Sequence, residues 1–104
     1  MQLDVFKNDN PASRERFPYL LDVQADLLQD LETRIVVPLA PEAAFAGKAL
    51  KGLMPLVRVK GKPYVAVTPQ LAAIARRALG AKVVNLSEFR TDLTGALDLL
   101  FTGC

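Results

Sequence analysis

The side chains that could do chemistry in this sequence are carboxylates, arginines and one thiol, because it contains no histidine. Without imidazole, the commonest general acid–base group, the Ser–His and Cys–His nucleophile pairs and the commonest metal ligand are all missing. The single cysteine, Cys104, can form neither an intrachain disulfide nor a zinc site on its own. The six glycines form no phosphate-binding motif. We therefore predict no catalytic residues, no metal ion and no cofactor.

Two groups of polar residues remain as candidates for a reactive site. Asp22, Asp26 and Asp30 are spaced four residues apart, but they fall in a predicted strand and near a turn, so we interpret them as solvent-side charges. Arg34 lies close to Glu32, and a small β-barrel could use such residues to cleave RNA through the substrate's own 2′-hydroxyl. Aromatic residues are few and are not interleaved with basic ones, as base stacking would require. We favour a salt bridge at the start of a strand as the role of Arg34.

The elements that would position these residues are mostly strands, identified by alternating apolar residues and by turn residues between them. Pro38 lies inside one of the predicted strands and indicates a bulge or a strand end. In the first part of the chain we predict a strand over 1–6, an exposed flap over 7–16, a strand over 19–25, a turn over 29–32 and a strand over 34–39. A short helix or irregular segment follows over 41–53. After it we predict a β-hairpin whose strands, 56–60 and 64–68, flank a Gly-X turn at Gly61-Lys62.

The segment 68–79 is ambiguous between helix and strand. Thr68 followed by proline suits a helix start, and Gly80 suits its end. A short strand at Val83-Val84 then leads to the last element. Several strands followed by a single late helix predict a mostly β class, with a sheet that closes on itself and a helix laid on one side.

The last nineteen residues, 86–104, predict that late helix. Ser87 suits its N-cap and Gly103 its C-terminal stop. Because the sequence ends at Cys104, we expect the helix to be either a docked structural element or an element whose tip is free to meet a partner. The early part of the apolar stripe is expected to pack in the core or in a dimer interface. The stripe consists of Phe89, Leu93, Ala96, Leu97, Leu100 and Phe101.

Size and charge narrow the class of protein further. A chain of 104 residues with 51% hydrophobic residues predicts one globular domain, over 1–104. A net charge of +2 is too even to indicate nucleic-acid binding on charge alone. The sequence has no secretory signal and no apolar run long enough to span a membrane, so we expect a cytoplasmic protein without membrane contact.

Four segments of the sequence resemble the CcdB family, the toxin half of plasmid and chromosomal toxin–antitoxin modules. The strings Asp-Val-Gln-x-Asp and Val-Val-Pro-Leu-Ala occur in the family's order and spacing, and the similarity runs nearly end to end. The flap over 7–16 is longer than in the type member. The matching segments are 1–6, 21–28, 34–40, and 84–87 together with 96–101.

The resemblance implies a homodimer of SH3-like barrel subunits, each with a small wing sheet and one C-terminal α-helix. It implies a non-enzymatic poison that inserts its helix tip into the A subunit of DNA gyrase, a type II topoisomerase, and traps the enzyme on cleaved DNA. A cognate antitoxin would neutralise the toxin with a disordered tail, and operator DNA would be bound only through that complex, as a co-repressor in plasmid maintenance. The gyrase-binding positions carried over from the family are Leu27, Leu28, Asp98, Phe101, Thr102, Gly103 and Cys104.

The sequence departs from the family at the tip itself. The type toxin ends in Trp-Gly-Ile, where this chain has Thr102, Gly103 and Cys104, and Asp98 replaces an asparagine. Tryptophan is among the residues most enriched in binding hot spots. Weak gyrase inhibition, action on a related topoisomerase, or antitoxin binding and co-repression without poisoning therefore stay open. An endoribonuclease toxin of the same barrel fold is the alternative from another class.

Overall fold

One antiparallel sheet of seven strands dominates the computed structural model, which describes residues 2–103. The strands run in the order β4-β5-β3-β2-β1-β7, and β6 also pairs with β3. The curled sheet and its C-terminal helix confirm the predicted mostly β, barrel-like fold, and the strands β4 and β5 belong to the same sheet as the others. The elements are β1 (Asp4–Asn8), β2 (Tyr19–Asp22), β3 (Thr33–Pro41), β4 (Leu56–Val59), β5 (Lys62–Ala66), β6 (Ala72–Ala75), β7 (Leu79–Asn85) and the helix α1 (Arg90–Thr102).

The long strand β3 organises the sheet because it changes partner along its length. Its first half pairs with β6 and its last three residues with β5, while β2 lies along its other edge. Pro38 lies between the two partners and pairs with Leu20 in unbroken register, so the prediction of a bulge or strand end was wrong. The carbonyl of Pro38 accepts a hydrogen bond from the N–H of Val67 at 2.9 Å. The N–H and the carbonyl of one residue in an antiparallel strand point to the same side. The N–H that proline lacks would therefore point to the gap between β6 and β5, so no hydrogen bond between strands is lost.

The hairpin of β4 and β5 confirms the prediction from sequence, except for the position of its turn. The central residues are Lys60 and Gly61, whose φ angles of 52° and 77° are those of a type I′ turn. The predicted turn at Gly61-Lys62 was therefore displaced by one residue, and Lys62 instead pairs with Val59 at the end of the ladder.

The ambiguous segment 68–79 is extended rather than helical. It consists of a 3₁₀ turn at Thr68–Gln70, the strand β6 and a second 3₁₀ turn at Arg76–Ala78. The strand forms because the first half of β3 has an edge that β5 does not cover. Segment 41–53 took its irregular alternative, with a single 3₁₀ turn at Glu42–Ala44.

The helix α1 begins later than expected. Ser87 is not its N-cap: it opens a 3₁₀ turn, and Phe89 precedes the first helical residue. The side-chain oxygen of Asn85 accepts the backbone N–H of Ser87 at 2.9 Å. Gly103 ends the helix as predicted, with a φ of 78° and its N–H bonded to the carbonyl of Leu99 at 3.0 Å.

The core lies between the concave side of the sheet and α1. Leu93 and Ala96 of the helix are buried, and Phe89 and Leu97 pack against the same cluster, as the stripe predicted. Within residues 2–103, no helix is long and apolar enough to cross a membrane. The buried hydrophobic residues of the larger cluster are Leu3, Val5, Leu21, Val23, Val37, Leu39, Val57, Val59, Ala66, Leu86 and Leu93.

Candidate protein-interaction site

Two exposed leucines stand on a short turn between β2 and β3. The 3₁₀ turn Asp26–Leu28, hereafter the leucine turn, exposes 92% of Leu27 and about half of Leu28. Two backbone bonds shape it: the N–H of Leu28 reaches the carbonyl of Ala25 at 2.9 Å, and the N–H of Gln29 reaches that of Asp26 at 3.0 Å. Exposed leucines on a turn held in this way are suited to contact with another protein.

Beneath the leucine turn lies a buried ion pair that the sequence did not predict. The Nε and Nη2 atoms of Arg34 donate to one carboxylate oxygen of Asp22 at 2.9 and 2.6 Å, and both side chains are buried. The interpretation of Asp22 as a solvent-side charge was wrong, whereas Asp26 and Asp30 are exposed as expected. Arg34 does form a salt bridge, but with β2 rather than with a neighbour at the start of its own strand.

The side chains of two glutamines, which sequence reasoning missed, connect the leucine turn to the rest of the fold. The amide of Gln24 donates from below the turn to the carbonyl of Leu28. The amide of Gln2 donates to the carbonyl of Val23 at 3.1 Å, and its oxygen accepts from Nη1 of Arg90 at 2.8 Å. The backbone N–H of Gln2 also reaches Asp26 at 2.5 Å. The feature of the sequence that could have indicated Gln24 was its position inside the Asp-Val-Gln-x-Asp string.

The tip of α1 exposes the other predicted residues. Phe101 is 68% exposed, and Asp98, Thr102 and Gly103 are also exposed. The hydroxyl of Thr102 donates to the carbonyl of Asp98 at 2.7 Å. Cys104 lies outside the described residues. A large aromatic side chain left in water at the end of a helix has most of its surface available to a partner.

In a single chain, the leucine turn is linked to the start of α1, whereas the helix tip is at its end. The link through Gln2 joins the turn to Arg90, the first residue of the helix. Phe101 follows eleven residues later, which is about 16 Å along the helix axis. The two groups of candidate residues therefore do not form one small patch on one subunit.

A further charged group, Asp4 on β1, supports the segment that leads into α1. Asn85 donates to its carboxylate at 2.9 Å, and Nζ of Lys82 lies 3.5 Å away. Burial alone would raise the pKa of Asp4, but the hydrogen bond from Asn85 and the charge of Lys82 contribute to holding the pKa below its ordinary value of 3.8. Asp4 is therefore a carboxylate at neutral pH and anchors β7 just before the helix.

The buried polar side chains of Asp22, Gln24 and Arg34 bind the protein's own backbone and one another. In the part of the chain that the structure describes, no group of three or more His, Cys, Asp or Glu side chains has the geometry of a metal site. The exposed side chains of Leu27, Leu28 and Phe101 present apolar surface, which can take part in binding.

Comparison with protein-family models gives a match that spans nearly the whole chain. The model described as CcdB protein matches residues 2–103. This range includes the leucine turn, the buried pair beneath it and the helix tip up to Gly103. The chain belongs to the CcdB family, the toxins of toxin–antitoxin modules.

Proposed function

We propose that this protein binds the A subunit of DNA gyrase and poisons the enzyme on cleaved DNA, without making or breaking a bond itself. The observation that carries the proposal is the exposure of Phe101 and Leu27, two large apolar side chains at positions where family members contact gyrase. Apolar and aromatic anchors that become desolvated supply most of the affinity at protein interfaces. Membership of the CcdB family supports the same target.

The proposed active form is a homodimer. The leucine turn and the helix tip are tied to opposite ends of α1 in one chain, so a second copy would let a single gyrase surface meet both kinds of anchor. Small apolar residues on β6, on the 3₁₀ turn that follows it and on β7 are exposed, and a second copy of the chain could cover some of them. They are Ala72, Ala73, Ala78 and Ala81. Size-exclusion chromatography with light scattering should give twice the chain mass, and a strictly monomeric protein that poisons gyrase would refute this form.

The proposed cellular partner is a cognate antitoxin in the cytoplasm. Its disordered tail would cover the exposed anchors, and operator DNA would be bound only through the joint complex. Support comes from family membership and from the apolar character of the exposed groups, which a disordered segment can cover on folding. A pull-down from cells carrying the neighbouring gene should recover that gene's product.

The substitutions at the tip should make this member a weaker poison than one that ends in tryptophan. Thr102 turns its hydroxyl back to the carbonyl of Asp98 and offers a partner little apolar surface. The exposed carboxylate of Asp98 would have to lose water on binding. Phe101 is then the main anchor that remains at this end.

Two alternatives are separated from this proposal by one assay. For an endoribonuclease of the same barrel fold, Arg34 is a poor catalytic candidate because its guanidinium is buried against Asp22. A relative that only binds antitoxin would lack both activities. The purified protein should be incubated separately with gyrase plus supercoiled DNA and with RNA. Gyrase-linked double-strand breaks support poisoning, and RNA fragments support the nuclease. If neither product forms, the result supports a relative that only binds antitoxin.

A further inference from the structure

We propose that Gln24 is a positioning residue for target binding, because its buried amide holds the Leu28 carbonyl and so fixes the leucine turn. The link to binding rests on the proposed function, whereas the link to the turn can be measured in the free protein. Gln24 follows β2 by two residues and is only 7% exposed. It would not itself touch the partner.

Every polar group of the Gln24 side chain is engaged. Its Nε2 donates to the carbonyl of Leu28 at 2.9 Å, and its Oε1 accepts the backbone N–H of Ile35 at 3.1 Å. Its backbone N–H donates to the second carboxylate oxygen of Asp22 at 3.0 Å. The amide is therefore fixed by β3 on one side and holds the leucine turn on the other.

The ion pair beneath the turn supports the same carbonyl less directly. Nη1 of Arg34 lies 3.5 Å from the Leu28 oxygen, longer than a good hydrogen bond, while the rest of the guanidinium is held by Asp22. The backbone N–H of Leu31 reaches the same oxygen at 3.2 Å, so one backbone donor and two buried side chains converge on one carbonyl of an otherwise exposed turn. The shortest bond, from Gln24, is the one expected to fix its position.

The leucine turn is otherwise ordered by its backbone bonds and by the contact of Gln2 with Asp26, and a buried side-chain tether adds to these. The turn contains three residues, none of them buried, and presents its leucines to solvent. Freezing a mobile turn during association costs conformational entropy, and a turn that is already fixed avoids that cost. Loss of the Gln24 donor should therefore weaken binding without removing any atom of the binding surface.

The test replaces this donor and compares the result with the same chemical change elsewhere. Gln24→Glu keeps an oxygen for the Ile35 N–H but places a carboxylate oxygen against the Leu28 carbonyl. Asn8→Asp is the matched control, since Asn8 is 8% exposed and its Nδ2 donates to a different loop carbonyl, that of Phe17, at 2.8 Å. Gln24→Met, which buries no charge, serves if Gln24→Glu does not fold.

Amide hydrogen exchange by NMR on the free proteins provides the first measurement. At the amides of Leu28 and Gln29 we expect exchange about tenfold faster in the Gln24 variant, since losing one buried hydrogen bond typically changes an equilibrium by that factor. These two amides in Asn8→Asp should exchange as in the parent. Unchanged exchange in the Gln24 variant, or equal acceleration in the control, would overturn the role of Gln24 in the turn.

Affinity for the isolated gyrase A subunit provides the second measurement. We expect it to fall about tenfold in the Gln24 variant and to stay at the parent's value in Asn8→Asp. Faster exchange with parent-like affinity would overturn the link between the turn and the target. If the parent itself does not bind the subunit, the proposed function fails, while the exchange measurement still decides whether Gln24 fixes the turn.

Discussion

Replacing Phe101 with alanine removes the largest side chain exposed at the helix tip. A phenylalanine can bury about 150–250 Å², and with 68% of the residue exposed a partner could cover about 100–170 Å² of it. At about 25 cal/mol per Å², that area corresponds to roughly 2.5–4 kcal/mol. Alanine retains part of this contact, so we expect a loss of about 2–3 kcal/mol of binding free energy, which raises the dissociation constant roughly 30- to 150-fold.

The same substitution should leave folding almost untouched. Phe101 contributes little to the core, and exposed substitutions usually change the free energy of unfolding by less than about 0.5 kcal/mol. Leu50→Ala is the matched control, because Leu50 is 58% exposed and lies outside the candidate site. Calorimetric titration of both variants into the gyrase A subunit, with thermal unfolding of each, gives the two quantities.

Two results would refute the reasoning about the helix tip. Phe101→Ala could bind gyrase as tightly as the parent, which would mean that the side chain stays in water in the complex. Alternatively, Leu50→Ala could weaken binding as much as Phe101→Ala, which would mean that the losses reflect general apolar surface rather than an anchor.

Two further predictions concern the helix tip, and a third concerns Asp4 on β1. Thr102→Trp should strengthen gyrase poisoning, with a gain of up to about 2–4 kcal/mol, measured as the concentration needed for half-maximal DNA breaks; unchanged or weaker poisoning would mean that this chain docks differently. Asp98→Asn should tighten binding a few-fold by removing the carboxylate's desolvation cost, and weaker binding would instead indicate a cationic partner group. The pKa of Asp4 is lowered by folding, so its contribution to stability is present above its ordinary value of 3.8 and is lost as pH falls through the lower folded value. The unfolding temperature of the parent should therefore drop more than that of Asp4→Asn between about pH 5 and about pH 2, and equal drops would contradict this role.

Local sequence signals were sufficient for most of the fold. The alternation on either side of Gly61 located the hairpin, and the apolar stripe with Gly103 located the helix and its end. These elements are determined by residues close together in the chain. The turn itself moved by one residue because Lys60 adopts a left-handed conformation, which is uncommon for lysine.

Features that depend on distant parts of the chain were missed. Asp22 and Arg34 are twelve residues apart in the chain, and the pairing of β2 with β3 brings them together. Each side chain neutralises the charge of the other, which allows two residues that are usually exposed to be buried. The sequence leaves the conformation of segment 68–79 open between helix and strand, and β6 is extended within it because β3 has a free edge there. Ser87 lost the cap position because the 3₁₀ turn it opens ends at Phe89, so the helix begins only afterwards.

The candidate site depended on the resemblance more than on pattern. Leu27 and Leu28 could equally have been core residues, and only the structure shows the first almost fully in solvent. The support beneath them, through Gln24 and Gln2, involves hydrogen bonds to carbonyls and could not be inferred from spacing. The exposure of the two leucines and the hydrogen bonds beneath them are properties of the folded chain.

A titration of purified gyrase with this protein tests the central claim most directly. With supercoiled DNA and a fixed amount of gyrase, protein-linked double-strand breaks should rise with added protein and level off at a fixed stoichiometric ratio to gyrase, because a poison that only binds does not turn over. The account would be contradicted if breaks continued to accumulate at amounts of protein far below that of gyrase, or if no breaks formed at saturating protein.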